Sequence, residues 1–345
     1  MLDFGSVGAK SIIRTLTQVE DFLAMQAQTP QKLKVLIKRK LAVMALVVPT
    51  LLVISSGCGN QTTTNNQPQL TPSPQASGEK VSSPLMVALI SESNEAEQKK
   101  KEQFLAEYLT KTLKRPVSIQ GVKDYSGTVD LLVEEKVQVA VLGPLTYIEA
   151  KRRNPQIEAI AAPITKGTGR PWYKAVIVVN ATSGIKTIED MKGKRLGFVS
   201  KLSTSGYMFP VVHLLDKGFN LEGDFASVEF FKTHDNTIGA LLEGKVDAIA
   251  MDLDVYNKFK EAGKVSNDYQ VIWESEPIPQ APIVVSQKLS PQLIAELKEA
   301  FIKAPVGMNT IVGVASDGYT LVQDSDYDRV RQVKKQLDEK LMNPK

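Results

Sequence analysis

From residue 85 onwards, short β-branched runs alternate with amphipathic stretches. The runs are LMVALI (85–90), PVSIQ (116–120), VQVAVLG (137–143), IEAIAAPI (157–164), WYKAVIVVN (172–180), RLGFVS (195–200), SVEFF (227–231) and VDAIAMD (246–252). Apolar runs of this length, bounded by polar turns, read as strands buried on both faces. The stretches between them predict helices over 95–113, from Ser126, near 207–216 and near 236–243. Strand and helix in turn imply an α/β fold with a largely parallel sheet and crossover helices. Such sheets bind ligands beyond the carboxyl ends of their strands, so function is sought in the strand-to-helix turns.

The chain before residue 85 follows a different pattern. Lys32 to Lys40 (KLKVLIKRK) places five cations ahead of an apolar run over 41–54, which ends in Ser55-Ser56-Gly57-Cys58. Basic, apolar and small-residue zones in that order make an export signal. The apolar run of 14 residues contains Pro49 and is shorter than the roughly 20 residues a membrane-spanning helix needs. Residues 1–57 are therefore expected to be a signal, and a start at Met25 would give it a more ordinary length. The lone cysteine stands where the small residues end, as in the cleavage box of bacterial lipoproteins, although Ser55 occupies a position usually held by an aliphatic. Cys58 is the expected lipidation site, and residues 58–83, rich in Thr, Asn, Gln, Pro and Ser, read as a disordered tether.

Charge changes meaning once the signal is set apart. The 345-residue chain carries a formal net charge of +4, but residues 1–57 hold 7 of its 42 Lys and Arg and 3 of its 38 Asp and Glu, leaving 35 of each. The mature part is neutral and has no basic stripe interleaved with aromatics, so no nucleic-acid partner is expected. Two histidines and one cysteine make no metal-ligand set, and neither a G-x-S-x-G elbow nor a G-x-x-x-x-G-K-S loop is present. No catalytic residue, cofactor or metal is expected.

The strand ends collect a consistent group of polar side chains. Ser203, Thr204 and Ser205 precede Gly206 and an apolar helix. A helix start presents unpartnered N–H groups and partial positive charge, so it stabilises an anion without a basic side chain, although one of the hydroxyls could simply be a helix cap. His234 follows the SVEFF strand on the same rim, whereas His213, inside an apolar helix, reads as a core residue. Tyr125 and Tyr173 stand at strand boundaries and could turn hydroxyls toward a crevice. Asp252 and Asp254 follow the VDAIAM strand, and a carboxylate beside an oxyanion helps only by accepting a proton-bearing O–H, which selects protonated oxyanions.

These stretches resemble the phosphonate, phosphite and phosphate substrate-binding proteins of ABC importers. The likeness runs from about Leu85 to about Leu337 and is carried by Asp124-Tyr125-Ser126-Gly127, Val141 to Tyr147 (VLGPLTY), Tyr173 before AVIVVN, Ser183-Gly184-Ile185 with Asp190 to Lys194, Ser203 to Tyr207, and His234. The resemblance implies a two-lobed type II periplasmic-binding-protein fold, each lobe a mixed, mostly parallel sheet flanked by helices. The first lobe would take residues 84–179 and 277–345, and the second 180–276. It also implies that Tyr125, Tyr173, Ser203, Thr204, Ser205 and His234 hold the phosphorus oxygens, with Asp252 or Asp254 lining the pocket. Members taking aminoalkyl phosphonates carry an acidic residue where this chain has Ala281, so phosphite, phosphate or a short alkyl phosphonate is the expected ligand. The resemblance further implies a monomer that works with an ABC permease and its ATPase, on the extracytoplasmic side of the membrane. The competing readings are the same fold holding sulfate or a carboxylate, a ligand sensor, and, least favoured, a serine hydrolase.

Overall fold

The structure is a computed structural model that describes residues 83–91, 95–308, 310 and 312–342. The expected signal, Cys58 and the tether up to residue 82 lie outside the described residues.

The strands are β1 (Leu85–Ile90), β2 (Val117–Val122), β3 (Val139–Val141), β4 (Ile157–Thr165), β5 (Trp172–Tyr173), β6 (Ala175–Asn180), β7 (Arg195–Phe198), β8 (Ser227–Phe230), β9 (Ala248–Asp252), β10 (Tyr269–Glu274), β11 (Ile278–Pro279), β12 (Ile283–Ser286) and β13 (Ser316–Leu321). The α-helices are α1 (Glu95–Leu113), α2 (Tyr125–Val133), α3 (Pro144–Arg153), α4 (Phe209–Asp216), α5 (His234–Leu242), α6 (Leu253–Glu261), α7 (Pro291–Ile302) and α8 (Asp328–Met342). Every run read as a strand contains one. The sequence reading left the region after residue 252 unassigned, apart from the crossing back near Pro277.

Two sheets form the two lobes. The first has the order β13-β4-β12-β3-β1-β2 and the second β10-β6-β9-β7-β8, with a two-stranded ribbon, β11-β5, between them. In the first sheet β1 pairs parallel with β2 and β3, while β12 is antiparallel to β3 and β4, and β13 to β4. In the second, β7 pairs parallel with β8 and β9, while β6 is antiparallel to β9 and β10. The sheets are therefore mixed, and most strands in each run the same way. Of the opposing strands, β6 and β12 are the first to enter a sheet after a crossing between lobes, and β13 follows α7 within the first.

One boundary differs from the sequence reading. The chain enters the second sheet at Ala175, since β6 pairs with β9 from Ala175 to Val179, so the crossing is the β5 ribbon and not Asn180. An apolar run such as WYKAVIVVN does not reveal that its first two residues pair in a different sheet from the rest. The C-terminal helix also does more than complete the first lobe. Val330, Val333 and Leu337 on α8 join one apolar cluster with Ala150 and Tyr147 of α3 and with Phe209 and Val212 of α4. A second cluster packs α1 and α7 on the other face of the first sheet, and a third packs α5 and α6 on the second.

The ribbon is tied by buried polar groups. Gln280 donates from Nε2 to Thr165 Oγ1 (2.7 Å), Thr165 Oγ1 donates to the Trp172 carbonyl (2.6 Å), and the Gln280 carbonyl accepts from the Tyr327 hydroxyl (3.0 Å). This relay holds Trp172, the residue before Tyr173, against Gln280.

Candidate functional site

Five helix starts meet between the lobes, three from the second and two from the first. In the second lobe, the turn after β7 begins with Ser203, whose Oγ accepts the Gly206 N–H at 3.0 Å. The residues from Thr204 to Met208 form a π-helical turn closed by Met208 N–H to the Ser203 carbonyl (3.1 Å). The regular helix thus starts at Phe209, two residues later than the sequence pattern implied. A β-carbon on Gly206 would lie 2.3 Å from Val199 Cγ2, so only glycine lets this wide turn sit against the strand end. Ser203, Thr204 and Ser205 are all buried.

α5 is capped by Thr233, which accepts the Asn236 N–H at 3.2 Å. His234 is its first residue, 2% exposed, and its Nδ1 accepts the Asp252 N–H at 3.3 Å. Burial pushes the imidazole down to a pKa of about 3, so the ring is neutral, and with Nδ1 accepting, its proton stands on Nε2 as a donor. Asp252 caps α6: its Oδ1 accepts from Asp254 N (2.7 Å) and Val255 N (3.3 Å). Asp254, in the first turn of α6, is half-buried, and burial pushes its carboxyl up to about 6.

The first lobe supplies two more starts. Asp124 caps α2 by accepting from Gly127 N (2.7 Å) and Ser126 Oγ (2.9 Å), and Tyr125, the first helical residue, is buried. Tyr125 and Ile90 pack against Val199 and Leu202 of the second lobe. α3 begins after Gly143, which offers no side-chain cap. The Leu145 N–H in its first turn donates to Thr204 Oγ1 at 2.9 Å, a buried hydrogen bond from one lobe to the other.

Tyr173 lies at the junction of these groups. Its hydroxyl is fully buried and hydrogen-bonded with the hydroxyls of Ser205 and Thr204, and it feels the charge of Asp252 and the neighbouring Tyr125. Burial, reinforced by Asp252, drives its pKa far above the ordinary phenol range, against the opposing hydrogen bonds. The structure therefore brings Tyr125, Tyr173, Thr204, Ser205, His234 and Asp252 into one buried group. Ser203 turns its oxygen inward as a cap, and Asp254 stands half-buried on the next turn. Ala281 is buried beside Pro282, whose carbonyl accepts the Leu142 N–H at 3.1 Å, which puts it on the first-lobe wall next to the start of α3. His213 lies apart from this group, stacked on Trp273 with ring centres 4.6 Å apart.

The five starts bring the positive ends of their helix dipoles toward Tyr173 and its partners, with the caps taking some of their first N–H groups. Oriented donors make a site for an oxyanion, and the carboxyl group of Asp252 beside Tyr173 adds an acceptor for a protonated oxygen. Sequence reasoning missed the Leu145 N–H. Its signal was present: a strand ending in Gly-Pro, followed by a helix with no Ser, Thr, Asp or Asn to cap it. Among the described residues no group of three or more His, Cys, Asp or Glu side chains is placed to hold a metal ion.

A family model described as an ABC-transporter periplasmic substrate-binding protein for phosphonate matches residues 87–327. The phosphate-import protein of Mycolicibacterium smegmatis is 26% identical over 270 residues, covering 72% of this chain and 84% of the relative. A probable phosphite-binding protein of an ABC transporter from Prochlorococcus marinus is 28% identical over 200 residues, 55% of this chain and 65% of that one. In fold, the chain is similar to a Prochlorococcus marinus protein solved in complex with methylphosphonate, with a TM-score of 0.66 at 20% identity over 74% of this chain and 98% of the other.

Proposed function

Since the chain belongs to the family of ABC-transporter periplasmic substrate-binding proteins for phosphonate, we propose that it captures a small phosphorus oxyanion between its lobes and presents it to a membrane permease powered by an ATPase. The relatives' ligands, phosphate and phosphite, and the methylphosphonate of the structural neighbour share one chemistry, a tetrahedral phosphorus with two or three anionic or protonated oxygens. The observation that carries the reading is the buried hydrogen bond from Leu145 N to Thr204 Oγ1. It brings helix starts from both lobes to within reach of one small anion. Thr204, Ser205, Tyr173, Tyr125 and the Nε2–H of His234 would donate to its oxygens, and Asp252 would accept from a P–OH. Asp254, held partly protonated by burial, would donate or accept at the edge of the same pocket. Ser203 would act by shaping the turn. Donors drawn from both lobes favour the closed form over the open one, which gives ligand-driven closure its free energy.

Ala281 supports a ligand without an ammonium group, since a buried cation there would have no carboxylate partner among its neighbours in sequence, Gln280 and Pro282. The protein would work on the extracytoplasmic side, held by lipid on Cys58. Calorimetric titration of the purified protein with phosphite, methylphosphonate, phosphate, aminoethylphosphonate and sulfate tests the assignment. Binding of phosphite, methylphosphonate or phosphate is expected, with aminoethylphosphonate weaker. Tight sulfate binding with no phosphorus ligand bound would overturn it.

A further inference from the structure

One loop of the first lobe is buried in the second. After α7 the chain stays with the first lobe as far as Met308, which packs in the cluster of α1 and α7. Val312, four residues on, is 8% exposed within the cluster formed by Val176 and Val178 of β6, Ile238 and Leu241 of α5, Met251 of β9 and Val255 of α6, and Val314 packs against that cluster as well. By Ser316 the chain has entered β13 and the first sheet again.

The tip that makes this excursion is tight. Gly313 N donates to the Thr310 carbonyl (3.0 Å) and Thr310 N to the Val314 carbonyl (2.7 Å). Gly313 has φ +72, and a β-carbon there would lie 2.8 Å from Lys101 Nζ on α1 and 3.5 Å from Lys258 Nζ on α6. The tip therefore lies beside the ends of lysine side chains from a helix of each lobe, and the positive φ favours glycine there.

We propose that Val312 is a latch, an affinity-determining residue that never touches the ligand: closure inserts it into the apolar core of the second lobe, and opening withdraws it. The inference rests on the reading that the lobes close on an oxyanion. The cluster that receives Val312 includes α5 and α6, whose caps and first turns carry His234, Asp252 and Asp254. Seating the valine therefore sets the second-lobe half of the site against the first-lobe half.

The test compares Val312→Ala, Val312→Thr and Val312→Ile with the unaltered protein by calorimetry and stopped-flow, using phosphite, methylphosphonate and phosphate as probes. Alanine and the isosteric, polar threonine are each expected to weaken binding about tenfold through faster dissociation, and isoleucine to preserve it. Val306→Ala, at a position on the same loop that is 76% exposed, should change nothing. In a Cys58→Ser background, Val312→Cys is expected to react with a maleimide more slowly when a binding oxyanion is present. Unchanged affinity and dissociation in the alanine and threonine variants, or a thiol that reacts at one rate with and without ligand, would overturn the latch alone. A wild-type protein that binds none of the three probes would overturn the functional reading, and the latch with it.

Discussion

At the scale of single residues, the hydroxyl run divides its labour. Ser203 closes the turn, whereas Thr204 and Ser205 meet Tyr173, and Thr204 also takes the Leu145 N–H. Thr204→Val removes a donor to a charged ligand and leaves a buried N–H unpaired. A loss of roughly 1.5 to 3 kcal/mol follows, which titration should read as about a ten- to hundredfold weaker affinity. His234 is neutral in the folded protein because burial depresses its pKa from 6.5 to about 3. Between those values the unfolded chain binds a proton that the folded chain refuses, so this group costs stability progressively as pH falls below about 6.5. Asp254 acts in the opposite sense: its folded pKa is raised from 3.8 to about 6, so stability falls as pH rises from about 4 to 6. Thermal unfolding followed from pH 7 to 4 should therefore show His234→Gln losing less stability on acidification than wild type, and Asp254→Asn losing more.

At the scale of elements, two devices hold the site together. The π-helical turn exists because Gly206 lets the chain lie against Val199. Gly206→Ala would drive a methyl group into that side chain at 2.3 Å, for an expected cost of about 1 to 3 kcal/mol. Denaturant melts should show the loss, and affinity should fall with it, because Thr204 and Ser205 move. The β5-β11 ribbon depends on the Gln280–Thr165–Trp172 relay. Gln280→Leu leaves the buried Thr165 hydroxyl without its donor and should cost about 1 to 3 kcal/mol, and Gln280→Glu, which can only accept, should not restore it.

At the scale of the molecule, closure is the event that turns these contacts into function. α8 packs on helices of both lobes and Lys340 pairs with Asp216 of α4 at 2.7 Å, so the lobes are joined by a helix as well as by the ribbon. Small-angle scattering should show a smaller radius of gyration on adding a binding phosphorus oxyanion, and no change with Thr204→Val at the same concentration. If Cys58 carries the proposed lipid, Cys58→Ser should release the protein from the membrane fraction or leave it unprocessed.

The strands, the alternation with helices and the polar rim could be read from residue order, because apolar runs of four to nine residues have few ways to be buried and helix starts favour the same few residue types. His234 and the Ser203–Ser205 run were legible for that reason. The pairing of β6 with the second sheet, the bridge made by α8, the Leu145 N–H and the burial of Val312 were not. Each depends on which distant surface a segment meets, and a valine in a loop or an N–H at an uncapped helix start has no sequence signature of its partner. Residue order determined the parts that could hold an anion. Tertiary packing decided that helix starts from two lobes meet, since only folding brings a donor and an acceptor 59 residues apart to 2.9 Å.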